Sequence, residues 1–152
     1  LFNFAGIPTL TITGGYKVYR NAVQQSFANP LHLIVLGGKT GSAKTAILQA
    51  LQQQGEQIID LEKLANHKGS AFGQLGEDPQ PSRKKKKNLL FEKIQQLDST
   101  KRIWIEDESH LIGKVFIPET FWEQMRNAQV IYCDFPIEER INYLVTTYGN
   151  FE

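Results

Sequence analysis

Short apolar runs alternate with amphipathic stretches along most of the chain. The runs at residues 31–36, 57–61, 102–106 and 130–133 have the length and the side chains of β-strands. Helix-forming segments lie before, between and after them, at residues 16–27, 44–54, 61–65, 88–97, 119–127 and 137–148. Strands that alternate with helices in this way predict an α/β fold with a mainly parallel central sheet.

The start of the chain lacks this alternation. Residues 1–29 are interpreted as a linker and a helix that precede the main domain, although residues 9–13 also suit an edge strand. Residues 30–152 are predicted to form the main domain. Within it, the stretch at residues 66–82 is rich in Gly and Pro, and a loop of this length in a compact domain more often has a function than not.

Residues 38–45 read G-K-T-G-S-A-K-T, which is one residue away from the phosphate-binding pattern G-x-x-x-x-G-K-[ST]. Backbone N–H groups of such a loop form an anion-binding concavity, and the following helix adds a partial positive charge. Lys44 is expected to reach the outer phosphate, and the Thr45 hydroxyl to ligate Mg²⁺. The motif predicts a three-layer fold like that of the P-loop NTPases. The other predicted phosphate-binding residues are Gly38, Thr40, Gly41 and Ser42.

Acidic residues follow the third apolar run. In P-loop proteins a carboxylate at the end of a neighbouring strand holds the metal, and the run at residues 102–106 leads into Glu106, Asp107 and Glu108. We favour Glu106 and Asp107 as the carboxylates near the phosphate or metal and, with Lys44, as the catalytic residues. Asp60 ends another strand and is a further candidate, because ligands of open α/β sheets bind at the carboxyl ends of strands.

Composition narrows the class of protein. The 152 residues suffice for one domain with its own core, and no apolar run approaches the ~20 residues that span a bilayer, so no membrane contact is expected. The single cysteine, Cys133, excludes an internal disulfide and fits a cytoplasmic location; we expect it in the core.

The net charge of the chain is only +1, but residues 83–87 are five consecutive cations, either solvated or in contact with a polyanion. The chain begins without Met, which we interpret as the mark of a fragment.

Five segments of the chain form a specific combination. They read G-G-Y-K-V-Y-R, G-G-K-T-G-S-A-K-T, D-L-E-K-L-A-N-H-K-G-S-A-F-G, P-Q-P-S and I-W-I-E-D-E-S-H-L-I-G. Their order and spacing resemble those of the P-loop half of the tRNA 2-selenouridine synthase family. The resemblance extends over about residues 14–148.

The resemblance implies a substrate class. That family replaces the sulfur of 2-thiouridine at the wobble position of bacterial tRNAs with selenium from selenophosphate, through an S-geranylated intermediate made from geranyl diphosphate. It implies tRNA as a partner and geranyl diphosphate, or a nucleotide, as the ligand of the loop, with Mg²⁺ as the candidate metal. It also implies a rhodanese-like domain that carries the cysteine of the selenium step, a role that Cys133 does not match.

The resemblance also extends the candidate site to residues that the pattern alone would leave solvated. The residues expected to line the substrate are Asp60, from its place at the end of a strand, and, by the resemblance, His67, Lys68, Ser70, Phe72 and Ser109. The residues expected to contact nucleic acid are Lys17, Arg20, Arg83, Lys84 and Lys85.

Two positions depart from the family pattern. Ala43 stands where the family has glycine, and it strains the loop by ~1 kcal/mol or more if the backbone there has a positive φ. Lys86 and Lys87 precede Asn88 where the family has a segment similar to F-E-N. Two other interpretations stay open: an ATP-dependent small-molecule kinase, favoured by C-D-F-P-I-E-E-R-I-N-Y-L near the C-terminus, and a non-catalytic phosphate-binding scaffold.

Overall fold

The computed structural model describes residues 6, 8, 9, 11–68 and 78–148. The helices are α1 (Gly15–Ser26), α2 (Lys44–Gln53), α3 (Leu61–Ala65), α4 (Arg83–Gln95), α5 (Glu119–Asn127) and α6 (Ile137–Tyr148). The strands are β1 (Leu33–Gly38), β2 (Gln57–Ile59), β3 (Ile103–Glu106), β4 (Leu111–Ile112), β5 (Val115–Phe116) and β6 (Gln129–Cys133). Within the described ranges no helix has both the length and the apolar character needed to cross a lipid bilayer.

Four strands form a parallel sheet in the order β2-β3-β1-β6. The predicted α/β fold with a parallel central sheet is therefore confirmed. Strands β1 and β3 are neighbours, with Leu36 opposite Glu106. The loop at residues 38–45 (the phosphate loop) and the turn at residues 106–108 (the acidic turn) therefore begin at the same edge of the sheet. The Asp107 N–H donates to the Leu36 carbonyl at 3.0 Å, which fixes the two turns to each other.

Helices cover both faces of this sheet. Along β1 the side chains alternate: Leu33 and Val35 join a large core with α1, α3, α4 and α5, whereas Leu36 joins a small core with Leu48 of α2. Cys133 lies against the small core and is half-buried. This arrangement gives the three layers expected from the sequence, with α2 held directly below the phosphate loop.

Three local features differ from the sequence-based expectations. Helix α4 begins at Arg83, ahead of the predicted segment at residues 88–97, so the run of cations forms its first turns, and Ser82 caps it by accepting a hydrogen bond from the Lys85 N–H at 3.3 Å. The pattern did not predict the antiparallel pair β4–β5, because each of its strands has only two residues. No strand forms at residues 11–13, the described end of the segment that also suited an edge strand.

Helix α6 packs directly on the phosphate loop. Gly41 has φ +85°, and a Cβ there would lie 2.6 Å from the carbonyl oxygen of Arg140, so only glycine fits. The Arg140 guanidinium donates to the Thr40 carbonyl at 3.2 Å. Loop and helix therefore hold each other in place although about 100 residues separate them in sequence.

Ala43 has φ 54° and ψ 27°, a left-handed conformation that disfavours any residue with a Cβ. Of the described residues other than glycine, only Asn66 shares a positive φ. The position immediately precedes α2, so the chain adopts this conformation to turn from the loop into the helix. The strain anticipated at the alanine is therefore present, at about 1 kcal/mol.

We predict that Ala43→Gly raises the free energy of unfolding by about 1 kcal/mol, because glycine adopts a positive φ without strain. Urea unfolding followed by circular dichroism measures the change. Ala46→Gly is the matched control: Ala46 is exposed inside α2, where glycine lowers stability by about 0.5–1 kcal/mol. Equal losses in the two variants would contradict the assigned strain.

Candidate phosphate-binding site

A cavity of about 360 Å³ opens at the carboxyl ends of β1 and β3. Its walls come from the phosphate loop, the acidic turn after β3, helix α3 and helix α6. The loop residues that border it include Gly38, Thr40, Gly41, Ser42, Lys44 and Thr45. All six predicted phosphate-binding residues thus surround one space, although their role as ligands stays a prediction.

The loop presents donors to this cavity. Lys44 donates from its Nζ to the Gly38 carbonyl at 2.9 Å, across the mouth of the loop. The Ser42 hydroxyl is buried and has no hydrogen-bond partner, and the first N–H groups of a helix such as α2 have no partner within the helix. A bound phosphate would supply acceptors for all three kinds of donor.

Two carboxylates lie beside Thr45, and a third lies close to both of them. The Thr45 hydroxyl is 3.3 Å from an oxygen of Glu62 and 3.3 Å from an oxygen of Glu106. Glu62, Glu106 and Glu108 each offer an oxygen within 4.8 Å of the others. We call these three residues the carboxylate cluster. Glu106 is 1% exposed, and its Oε1 atom is buried without a partner.

Burial and mutual repulsion change the acidity of the cluster. Burial, reinforced by the charge of Glu62, raises the pKa of Glu106 to about 8. Burial, followed by repulsion from Glu108, raises the pKa of Glu62 to about 7. Near neutral pH the cluster therefore retains protons that a cation would displace. Hard carboxylate and hydroxyl oxygens suit Mg²⁺, so Glu62, Glu106, Glu108 and Thr45 are the residues that could hold it.

Lys86 lies buried near the cluster. Only 2% of it is exposed, and its Nζ has no hydrogen-bond partner. Burial lowers the pKa of Lys86 to about 8, against the opposing attraction of Glu108. The cation run is therefore divided, because Arg83, Lys84 and Lys85 are exposed while Lys86 faces inward.

The other two predicted acids have different surroundings. Asp107 borders the cavity, but it is exposed and forms an ion pair with Arg126 of α5. Asp60 caps α3 by accepting a hydrogen bond from the Lys63 N–H at 2.8 Å and is not among the residues that border the cavity. Its charge still helps to raise the pKa of both Glu62 and Glu106. Its contribution to the site is therefore electrostatic.

The remaining candidates fall into three groups. Lys68 and Ser109 border the cavity. His67 follows α3, donating its backbone N–H to the Glu62 carbonyl at 3.0 Å, and does not border the cavity. Ser70 and Phe72 lie outside the described residues, so their predicted place in the site stays a prediction.

Sequence reasoning missed several residues of the site. It noted Glu108 but preferred Asp107, and it did not consider Glu62, Arg140 or Tyr143, which borders the cavity from α6. Glu62 had one usable signal: it lies two residues beyond Asp60, at the carboxyl end of a strand next to β3.

We predict that Glu106→Gln flattens the pH dependence of stability in metal-free protein. A carboxyl whose pKa is raised by folding stabilises the folded state below its ordinary value of 4.5, and this contribution is lost as pH rises to about 8. The free energy of unfolding should therefore fall by on the order of a few kcal/mol between about pH 5 and pH 8. The variant, which cannot ionise, should fall much less.

Urea unfolding in EDTA across this pH range measures the effect. Glu123→Gln, at an exposed position of α5, is the control and should keep the original slope. A Glu106→Gln slope equal to that of the control would show that the Glu106 carboxylate is not destabilised by its surroundings.

Comparison with known proteins identifies relatives that match most of the chain. The family described as the tRNA 2-selenouridine synthase AAA domain matches residues 31–150. Proteins named tRNA 2-selenouridine synthase are 35% identical in Nitrosomonas europaea, 36% in a Sulfurovum species and 37% in Bdellovibrio bacteriovorus. These matches cover 93%, 94% and 95% of this chain but 39% of each relative, so the chain corresponds to about two fifths of their length. The chain belongs to the family of tRNA 2-selenouridine synthase AAA domains.

Proposed function

We propose that this domain binds geranyl diphosphate and transfers the geranyl group to the sulfur of 2-thiouridine at the wobble position of tRNA. In the longer protein this step would lead, through the S-geranylated intermediate, to 2-selenouridine. The observation that carries the proposal is that Lys44, Thr45 and the carboxylate cluster border one cavity. Family membership supplies the tRNA-modifying context.

The loop suits the diphosphate of an allylic ester. The uridine sulfur attacks the first carbon of the geranyl group, a C–S bond forms, and the C–O bond breaks with its electron pair leaving on pyrophosphate. The N3–H group of the thiouridine releases its proton to solvent or to the pyrophosphate. Lys44 would donate its hydrogen bond to a diphosphate oxygen instead of the Gly38 carbonyl, and would stabilise the negative charge that develops on the leaving pyrophosphate. Ser42, buried and without a partner, would donate to the same group.

The carboxylate cluster suits a divalent cation at the same diphosphate. The fit rests on the unpartnered, buried Oε1 of Glu106 and on the all-oxygen set around Thr45. Bound Mg²⁺ would neutralise charge on the leaving pyrophosphate. Without it, three carboxylates and an anionic substrate would repel each other across one cavity.

The selenium step is assigned to another part of the longer protein. Cys133 packs against the core around Leu36 and Leu48 and does not border the cavity. We therefore assign the sulfur nucleophile of that step to the rhodanese-like domain and only the allylic transfer to this domain.

We predict that Lys44→Ala weakens geranyl diphosphate binding at least tenfold, since a charge-assisted hydrogen bond is lost from the loop. Isothermal titration calorimetry with MgCl₂ measures the affinity. Lys39→Ala is the matched control, because Lys39 is an exposed lysine of the same loop that does not border the cavity. Equal affinities for the two variants would remove the loop from the mechanism.

The same titrations with ATP and GTP separate the competing functions. Geranyl diphosphate should displace either nucleotide, whereas preferred ATP binding would favour a kinase. Binding of these ligands without any turnover would favour a phosphate-binding scaffold. Nucleoside mass spectrometry of 2-thiouridine tRNA then tests the chemistry. S-geranyl-2-thiouridine is expected with geranyl diphosphate; selenouridine formed by this chain alone with selenophosphate would contradict the division of labour.

A further inference from the structure

A basic cleft lies between α1, α4 and the β4–β5 pair. Its volume is about 260 Å³, and its walls include Tyr16, Arg20, Arg83, Lys84 and Phe116. The two aromatic rings are 56% and 44% exposed, respectively. Segments from opposite halves of the sequence thus combine cations and exposed aromatic faces in one groove.

A row of stacked groups leads away from this cleft. The Arg83 guanidinium lies 5.5 Å from the Phe116 ring, which meets the His110 ring edge-on at 5.4 Å. His110 stacks on Trp122 at 5.4 Å, and the Arg126 guanidinium lies 4.6 Å from that indole. We call these five residues the aromatic strip.

The strip ends at the cavity between the phosphate loop and the carboxylate cluster, which we call the phosphate cavity. Arg126 pairs with Asp107, which borders that cavity. Helix α4 makes a second connection, because Lys84 borders the cleft while Lys86 interacts with Glu108 of the carboxylate cluster. A ligand that follows the strip from the cleft therefore arrives at the proposed reaction site.

Alternating cations and aromatic faces suit unpaired nucleotides. Single-stranded nucleic acid is held by cations along its phosphates and by rings on which its bases stack. A regular duplex has its bases already stacked and offers none to Phe116, and an acidic peptide would use the cations but not the exposed ring faces. Half-exposed Phe116 contributes little to the core, so a binding role accounts better for its position.

We propose that the cleft and the aromatic strip bind unpaired nucleotides of the RNA substrate and lead them to the phosphate cavity. This inference rests on the proposed function for the identity of the acceptor as RNA. Arg20, Arg83 and Lys84 contact phosphates, and a base stacks on Phe116. The same surface holds the nucleotides next to the one that reacts.

Fluorescence anisotropy with a labelled single-stranded U8 RNA tests the proposal. Phe116→Ala should weaken binding about fivefold or more, the effect of losing one stacked base, while Phe116→Tyr should stay within about twofold. Tyr132→Ala is the control, because it removes an exposed ring from β6, outside the strip, and should change nothing. Arg83→Gln should lower the salt slope by about 0.7.

Circular dichroism melts and pyrophosphate calorimetry on the same variants separate the possible failures. Folded Phe116→Ala with normal pyrophosphate binding and unchanged RNA affinity would overturn the strip and leave the proposed function standing. An equal loss of RNA affinity in Phe116→Ala and Tyr132→Ala would also overturn it. So would duplex RNA that binds as tightly as U8, with an affinity that Phe116→Ala leaves unchanged. The opposite result has two parts: Phe116→Ala weakens RNA binding, and Lys44→Ala binds diphosphate normally. It would support the role of the strip and remove the proposed chemistry of the loop.

Discussion

Repulsion among the three carboxylates of the cluster, one buried at the end of β3 and two partly buried beside it, is the constraint on which this site depends. Glu62, Glu106 and Glu108 approach within 4.8 Å in surroundings that raise the pKa of each. Three like charges so close together destabilise the folded chain unless protons or a cation neutralise them. A fold that has this arrangement next to a loop of the phosphate-binding pattern is suited to an anion and a cation bound together.

The rest of the fold holds the phosphate loop and the carboxylate cluster next to each other. Parallel pairing of β1 with β3 brings the loop and the acidic turn to one edge of the sheet, and α3 adds Glu62 from the next strand. Helix α6 fastens the loop through Arg140 and the glycine contact at Gly41. The left-handed Ala43 remains as local strain at the entrance to α2, in keeping with strain that collects at functional sites.

The fold and half of the site could be predicted because they depend on local sequence. Alternating apolar runs specify the sheet, and the phosphate loop is contiguous, so Lys44 and Thr45 were found together. Glu62 was missed although it lies just beyond Asp60 at a strand end, because its place beside Glu106 follows from strand order. Lys86 was hidden in a run that normally marks a solvated segment, and only packing shows that it is buried. The aromatic strip joins residues from α4, β5 and α5, whose proximity only packing reveals.

The most direct measurement of the central claim is calorimetric titration of pyrophosphate into the protein at pH 7.5 with and without MgCl₂. If the carboxylate cluster holds a cation that faces the loop, pyrophosphate should bind at least about tenfold more tightly with Mg²⁺, because the metal removes repulsion between the cluster and the anion. Pyrophosphate affinity that is equal or greater in EDTA would contradict the account, since the cluster would then have no cation to share with the ligand.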